Sequence, residues 1–122
     1  MVKVFLDTNK FIDSIYRNTQ VRNGLSGHMV YVSPLSVHIL YYTEKIKVPS
    51  PELDLLENDF IFVDLTNNVL ALSLQGPTSD LEDNIQLHSC AEAECDYFLT
   101  SDDKLLKMKF FCKTRIVSSL PG

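Results

Sequence analysis

Three cysteines, Cys90, Cys95 and Cys112, make an odd set with no Cys-x-x-Cys pair among them. That spacing excludes a disulfide framework and gives no zinc pattern, so reduced core thiols are expected. No apolar run reaches the length of a membrane span, and the chain opens on a strand-like segment instead of a charged and then apolar leader. The expectation is a cytoplasmic protein with no membrane partner. Basic residues are not in excess either: the net charge of −5 excludes a protein that coats nucleic acid through its overall field. A local grip on a phosphate backbone is left open. There is no Gly-rich phosphate cradle, no P-loop and no Ser–His–Asp order, and His28 and His88 have no partner at metal-ligand spacing. Repeats, low-complexity tracts and linkers are also missing. The 122 residues are therefore read as one domain, 1–122, large enough for a single packed core.

What is present is an alternation. VKVFL (2–6) is β-branched and aromatic, with little alternation, and predicts a strand buried on both faces. Apolar Phe11, Ile12 and Ile15 predict a helix from Asn9, as N-cap, to about Arg17. Residues 20–27 read as one helical turn and a loop, and HMVYV (28–32) as a second strand. Ser33 and Pro34 open a helix to about Lys45, and Ser50 and Pro51 a shorter one to Glu57. DFIFVDL (59–65) predicts a strand, Asn67–Leu74 a helix, and Asp80–Glu94 another after a break at GPTS (76–79). DYFLTS (96–101) is a strand, DDKLLK a short helix, and RIVSS (115–119) a last strand. Tyr41, Tyr42, Leu40 and Ile46 read as helix packing, and the aromatics of KFFC as core under the last strand. Strands that alternate with helices imply right-handed crossovers: an α/β fold in three layers, with a mostly parallel five-stranded sheet.

Such sheets place their sites beyond the carboxyl ends of the strands. Apolar runs here end in carboxylates twice, at Asp7 in VKVFLDTN and at Asp102 and Asp103 in FLTSDDK. Between them SDLEDNIQ sets Asp80 and Asp83 three residues apart on one face of a helix start. Taken singly, each acid reads as a helix cap or a complement to the helix dipole. Taken together, they are carboxylates brought to one edge without basic partners, and a hard cation relieves that repulsion. Mg²⁺ or Mn²⁺ suits a few carboxylates completed by water and a substrate phosphate. The segment KLLKMKFFCKTR (104–115) holds Lys104, Lys107, Lys109, Lys113 and Arg115 without one acid. It is either a solvated face or a grip for RNA phosphates beside an acidic pocket.

The order strand-Asp-Thr-Asn, then Ser-Pro-Leu-Ser opening a helix, then Asp-x-Glu-Asp opening a later helix, then strand-Thr-x-Asp resembles PIN-domain proteins. Its small single-domain form is similar to the VapC-like toxin ribonucleases of toxin–antitoxin modules. The resemblance implies a metal-dependent endoribonuclease with Asp7, Asp83 and Asp102 as catalytic acids and Mg²⁺ or Mn²⁺ ligands. Thr8, Asn9, Asp80, Thr100 and Asp103 would support them, and Lys104 and Lys107 would meet the RNA substrate. It also implies a homodimer and an antitoxin partner. Receiver domains and haloacid-dehalogenase phosphatases are disfavoured, because DTN lacks the acidic pair or D-x-D that those sites need.

One position departs from the family pattern. The helix opened by SPLSVHILYYTEK carries Ile39 where these nucleases place a glutamate. Glu44 lies five residues on, roughly 140° around the helix, and cannot replace it. Two functions therefore stay open: a three-acid nuclease, or a degenerate PIN-like domain that binds RNA or protein in a regulatory role.

Overall fold

Val4 and Leu6 bury their side chains in one hydrophobic cluster while Phe5, between them, enters another. Successive strand residues point to opposite faces, so this split means that both faces of the sheet are covered. The computed structural model describes residues 1–17 and 19–121, without the side chains of residues 19 and 57.

In chain order the elements are β1 (Lys3–Leu6), α1 (Thr8–Ile12), a π-helical turn (Asp13–Arg17), α2 (Thr19–Gly24) and β2 (Met29–Val32). Next come α3 (Pro34–Thr43), α4 (Pro51–Asp54), a 3-10 turn (Leu55–Asn58), β3 (Ile61–Phe62) and α5 (Asn67–Ser73). The chain continues with α6 (Leu81–Glu92), β4 (Tyr97–Leu99), α7 (Asp103–Met108), β5 (Phe110–Phe111) and β6 (Thr114–Val117). The first cluster joins Val30 and Val32 of β2 to Phe11 and Ile12 of α1, Leu40 of α3 and Leu53 of α4. The second joins Tyr31 of β2 and Phe98 of β4 to Leu87 and Cys90 of α6 and Leu105 of α7. Helices thus cover each face of the sheet, and the expected three-layer α/β arrangement is found.

The sheet has six strands in the order β3-β2-β1-β4-β6-β5, one more than expected. All pairings are parallel except that of β5 with β6. The extra strand is β5, the two phenylalanines of KFFC. A tight reversal at Cys112 and Lys113 sets Phe110 against Arg115 and Phe111 against Thr114. Phe110 is consequently 58% exposed at the sheet edge instead of packed in the core. Cys112 is exposed in that turn with φ 54, so only Cys90 and Cys95 are core thiols. The turn lacks the Asn-Gly or Asp-Gly pair that announces a two-residue hairpin, which hides it from a sequence reading. DFIFVDL is strand only at Ile61 and Phe62, since β3 forms the other edge and pairs with β2 alone. Tyr42, expected in the packing, is 70% exposed.

From β1 the chain builds outward through β2 and β3, then returns to place β4 and β6 on the other side. The order reverses between β1 and β4. That is the topological switch point, where crossovers leave in opposite directions and a crevice opens at the carboxyl edge.

Candidate acidic site at the carboxyl edge of the sheet

Asp7 follows β1 directly and is only 7% exposed. It caps α1, accepting the Lys10 N–H on Oδ1 at 2.8 Å. The cap is therefore Asp7 and not the expected Asn9: the helix begins at Thr8, and Asn9 is exposed beyond it. Oδ2 of Asp7 accepts the hydroxyl of Thr100 at 2.5 Å. Burial raises the pKa of Asp7; the Thr100 and Lys10 hydrogen bonds and the Lys10 charge oppose this, and the charge of Asp102 adds to it.

Thr100, fully buried at the end of β4, also accepts the N–H of Asp102 at 3.0 Å. It ties the ends of β1 and β4 together across the switch point. Asp102 is exposed and caps α7 through the Lys104 N–H at 2.8 Å. Asp103, Lys104 and Lys107 lie exposed on α7. Asp64, after β3, is exposed and is not among the charges that act on these acids.

The start of α6 brings the remaining acids. Asp80 caps it through the Asp83 N–H at 2.9 Å. Buried Asn84 holds the preceding loop in place: it accepts the Thr78 N–H at 2.9 Å and donates to the carbonyls of Ser73 and Thr78. Asp83, half-buried, differs from the caps. Its carboxylate makes no hydrogen bond or ion pair among the described residues. Burial, and then the charges of Asp80, Asp102, Glu82 and Asp7, push its pKa up to about 6. The first turn of α6 therefore lies within electrostatic reach of the ends of both β1 and β4.

A buried polar chain supports this edge from below. The Gln86 amide donates to the Thr8 hydroxyl at 2.8 Å and to Glu82 Oε2 at 3.3 Å. Its carbonyl accepts the Thr8 N–H at 2.9 Å. The Thr8 and Ser36 hydroxyls are 2.9 Å apart, which extends the chain to α3. Ile39 sits one turn beyond Ser36 on the same side of α3, half-buried and outside both core clusters.

Glu82 and Gln86 are the residues that the sequence reading missed. Glu82 has its pKa raised by burial and then by Asp80 and Asp7, so it shares the field of the other acids. It stands inside the quoted Asp-x-Glu-Asp, and the i, i+4 spacing to Gln86 was the available signal.

Every candidate donor here is a hard oxygen, with no histidine or thiolate among them. Among the described residues no three His, Cys, Asp or Glu side chains stand at positions to hold one metal ion. What the arrangement offers is an acidic edge on which the Asp83 carboxylate, among the described residues, accepts no hydrogen bond.

No family model and no curated protein matches this sequence. Solved structures do match. One is a chain of the crystal structure of VapBC2 from Rickettsia felis bound to a DNA fragment from their promoter, similar at a TM-score of 0.68 and 13% identity, over 94% of this chain and 97% of that one. At that identity the likeness shows the fold alone. The fold is a PIN-like α/β domain.

Proposed function

We propose that the chain is a divalent-metal-dependent endoribonuclease of the toxin type, with Asp7, Asp83 and Asp102 as principal acids and Glu82 beside them. The observation that carries this reading is Asp83. A half-buried carboxylate in the field of Asp80, Asp102, Glu82 and Asp7, with no hydrogen bond of its own among the described residues, is unfavourable unless something positive joins it. Structural acids do not need such an arrangement. Asp7, Asp80 and Asp102 each cap a helix, and Asp83 caps nothing.

Mg²⁺ or Mn²⁺ fits this donor set, because such ions take one or two protein carboxylates and leave the rest to water and substrate phosphate. Asp83 with Asp7 or Asp102 would hold the ion. Bound there, it would lower the pKa of water and neutralise charge on a phosphodiester. Thr100 keeps Asp7 aimed at the edge, and Gln86 keeps Glu82 and Thr8 in register. Lys104 and Lys107 are exposed on the helix that Asp102 caps, and they would meet neighbouring phosphates of the RNA.

The structural neighbour was crystallised as VapBC2 on promoter DNA. By analogy, this chain would pair with a second copy and be held by an antitoxin protein in the cytoplasm. No described helix is long and apolar enough to cross a membrane.

Ile39 favours a second reading, a PIN-like module that binds RNA or protein without cutting. It puts an apolar side chain where the family carries an acid. Incubation of purified protein with a mixed RNA pool, in Mn²⁺, in Mg²⁺ and in EDTA, separates the two. Metal-dependent cleavage that Asp83→Asn abolishes supports the nuclease. Retention of RNA without cleavage in either metal supports the module.

A further inference from the structure

A cleft of about 310 Å³ lies on the side of the sheet opposite α6 and α7. Its wall includes Lys10, Leu25 and Leu99, and beyond β6 it takes in Ser118, Ser119 and Leu120. Two of these residues are bonded directly to Asp7. Lys10 donates its N–H to Oδ1, and the Leu99 carbonyl accepts the Asp7 N–H at 3.1 Å. Two residues of the cleft thus flank Asp7, although no acid lines the cleft itself.

Its lining is of mixed chemistry. Leu25, Leu99 and Leu120 give apolar faces, Ser118 and Ser119 give hydroxyls, and Lys10 gives a cation. The Lys10 ammonium makes no ion pair among the described residues, although it lies in the field of Asp7. Pockets for small ligands begin at ≈ 300 Å³, so the space suits a single nucleotide better than a helix or an extended peptide.

From this geometry we infer that the cleft is a nucleotide subsite. It takes the residue of single-stranded RNA next to the scissile phosphate, with the base against the leucines, the sugar near the serines and the phosphate on Lys10. Leucine side chains would take any base by apolar contact, without aromatic stacking, while the cation would track the backbone. The strand would then cross the carboxyl edge from Lys104 and Lys107 on one face to Lys10 on the other. The inference rests on the nuclease reading for its place in a reaction, but its test does not.

Uridine and adenosine 5′-monophosphates are titrated to millimolar concentration into ¹⁵N-labelled protein in EDTA, so neither metal nor cleavage is needed. The expected result is amide shifts at Gly24 and at residues 118–120, weakened about tenfold by Lys10→Gln and lost in Ser119→Trp, which fills the cleft. A short RNA cleavage assay should show both variants raising KM with kcat little changed, the mark of lost uniform binding. Binding in the cleft by a protein that never cuts RNA would defeat the nuclease reading and leave the subsite standing. Cleavage with KM unchanged in both variants, and no shifts at residues 118–120, would overturn the subsite and leave the nuclease. Shifts there from a leucine-rich decapeptide, with none from nucleotides, would also overturn it.

Discussion

Both polar atoms of the Gln86 carboxamide are bound to Thr8, one to its N–H at 2.9 Å and one to its hydroxyl at 2.8 Å. Thr8 is the first residue of α1, where backbone N–H groups have no partner within the helix. Gln86, 1% exposed, supplies that partner from another layer of the fold and fixes the residue next to Asp7.

Gln86→Leu keeps the volume and removes the bonds. A buried N–H left unsatisfied costs about 1–3 kcal/mol, and the hydroxyl still has Ser36, so a loss of about 2 kcal/mol is expected. Urea unfolding should show a lower midpoint at unchanged slope. Gln86→Glu can accept the Thr8 N–H but places another carboxylate beside Glu82, so its loss should grow as pH rises. A midpoint unmoved in both variants would show that the clamp carries no stability.

Asp83→Asn should separate stability from activity. Asp83 is held among like charges and, among the described residues, without a hydrogen bond, so the neutral amide relieves repulsion and the melting temperature at pH 7.5 should rise. Cleavage in Mn²⁺ should fall by at least about a hundredfold, near 2.7 kcal/mol of transition-state stabilisation. A stable variant that cuts as well as wild type would remove Asp83 from the site.

The same raised pKa sets the direction of the pH dependence. A carboxyl whose pKa climbs from 3.8 to about 6 on folding holds its proton more tightly in the folded state. Its stabilising contribution is full below 3.8 and is lost as the pH passes about 6. The raised values of Asp7 and Glu82 act in the same sense. Metal-free protein should thus melt at progressively lower temperature from pH 4 to pH 7 through these groups. Mn²⁺ competes with the proton, so it should raise the melting temperature strongly at pH 7.5 and little at pH 4.5. An equal shift at both values would place the ion elsewhere.

The fold was largely legible because its signals are local and repeated. Val2–Leu6 reads as buried on both faces, and Ser33-Pro34 reads as a helix start, without knowledge of any partner. Elements that depend on neighbours were harder. The short β3 and β5 exist because an edge strand needs only one paired side, and the Cys112–Lys113 reversal carries no turn signature. Of the candidate site, Asp7, Asp83 and Asp102 stood out as carboxylates ending apolar runs or opening a helix. Gln86 did not, since a glutamine in a helix looks like solvent-facing surface until another layer is seen to bring Thr8 against it. The capping role of Asp7 was displaced onto Asn9 for a related reason: either residue can cap, and only the helix start decides.

Ile39 offers the sharpest test of the site. It lies one turn after Ser36, which touches Thr8, and it joins neither core cluster. Leu40 beside it is fully buried in the first cluster, so the core face of α3 is already filled. A glutamate at position 39 would then extend toward the acidic edge without emptying the core. Without metal it adds like charge, and the melting temperature at pH 7.5 should drop slightly. With metal it adds a ligand, or a group that orients bound water. Mn²⁺ affinity measured by calorimetry should tighten about tenfold, close to 1.4 kcal/mol. Cleavage, measured in parallel, should rise with it. If Ile39→Glu instead unfolds the protein and saturating Mn²⁺ does not rescue it, Ile39 belongs to the packing and the missing acid has no bearing on the site. Intact folding with unchanged Mn²⁺ affinity would show that a carboxylate on α3 does not reach the ion.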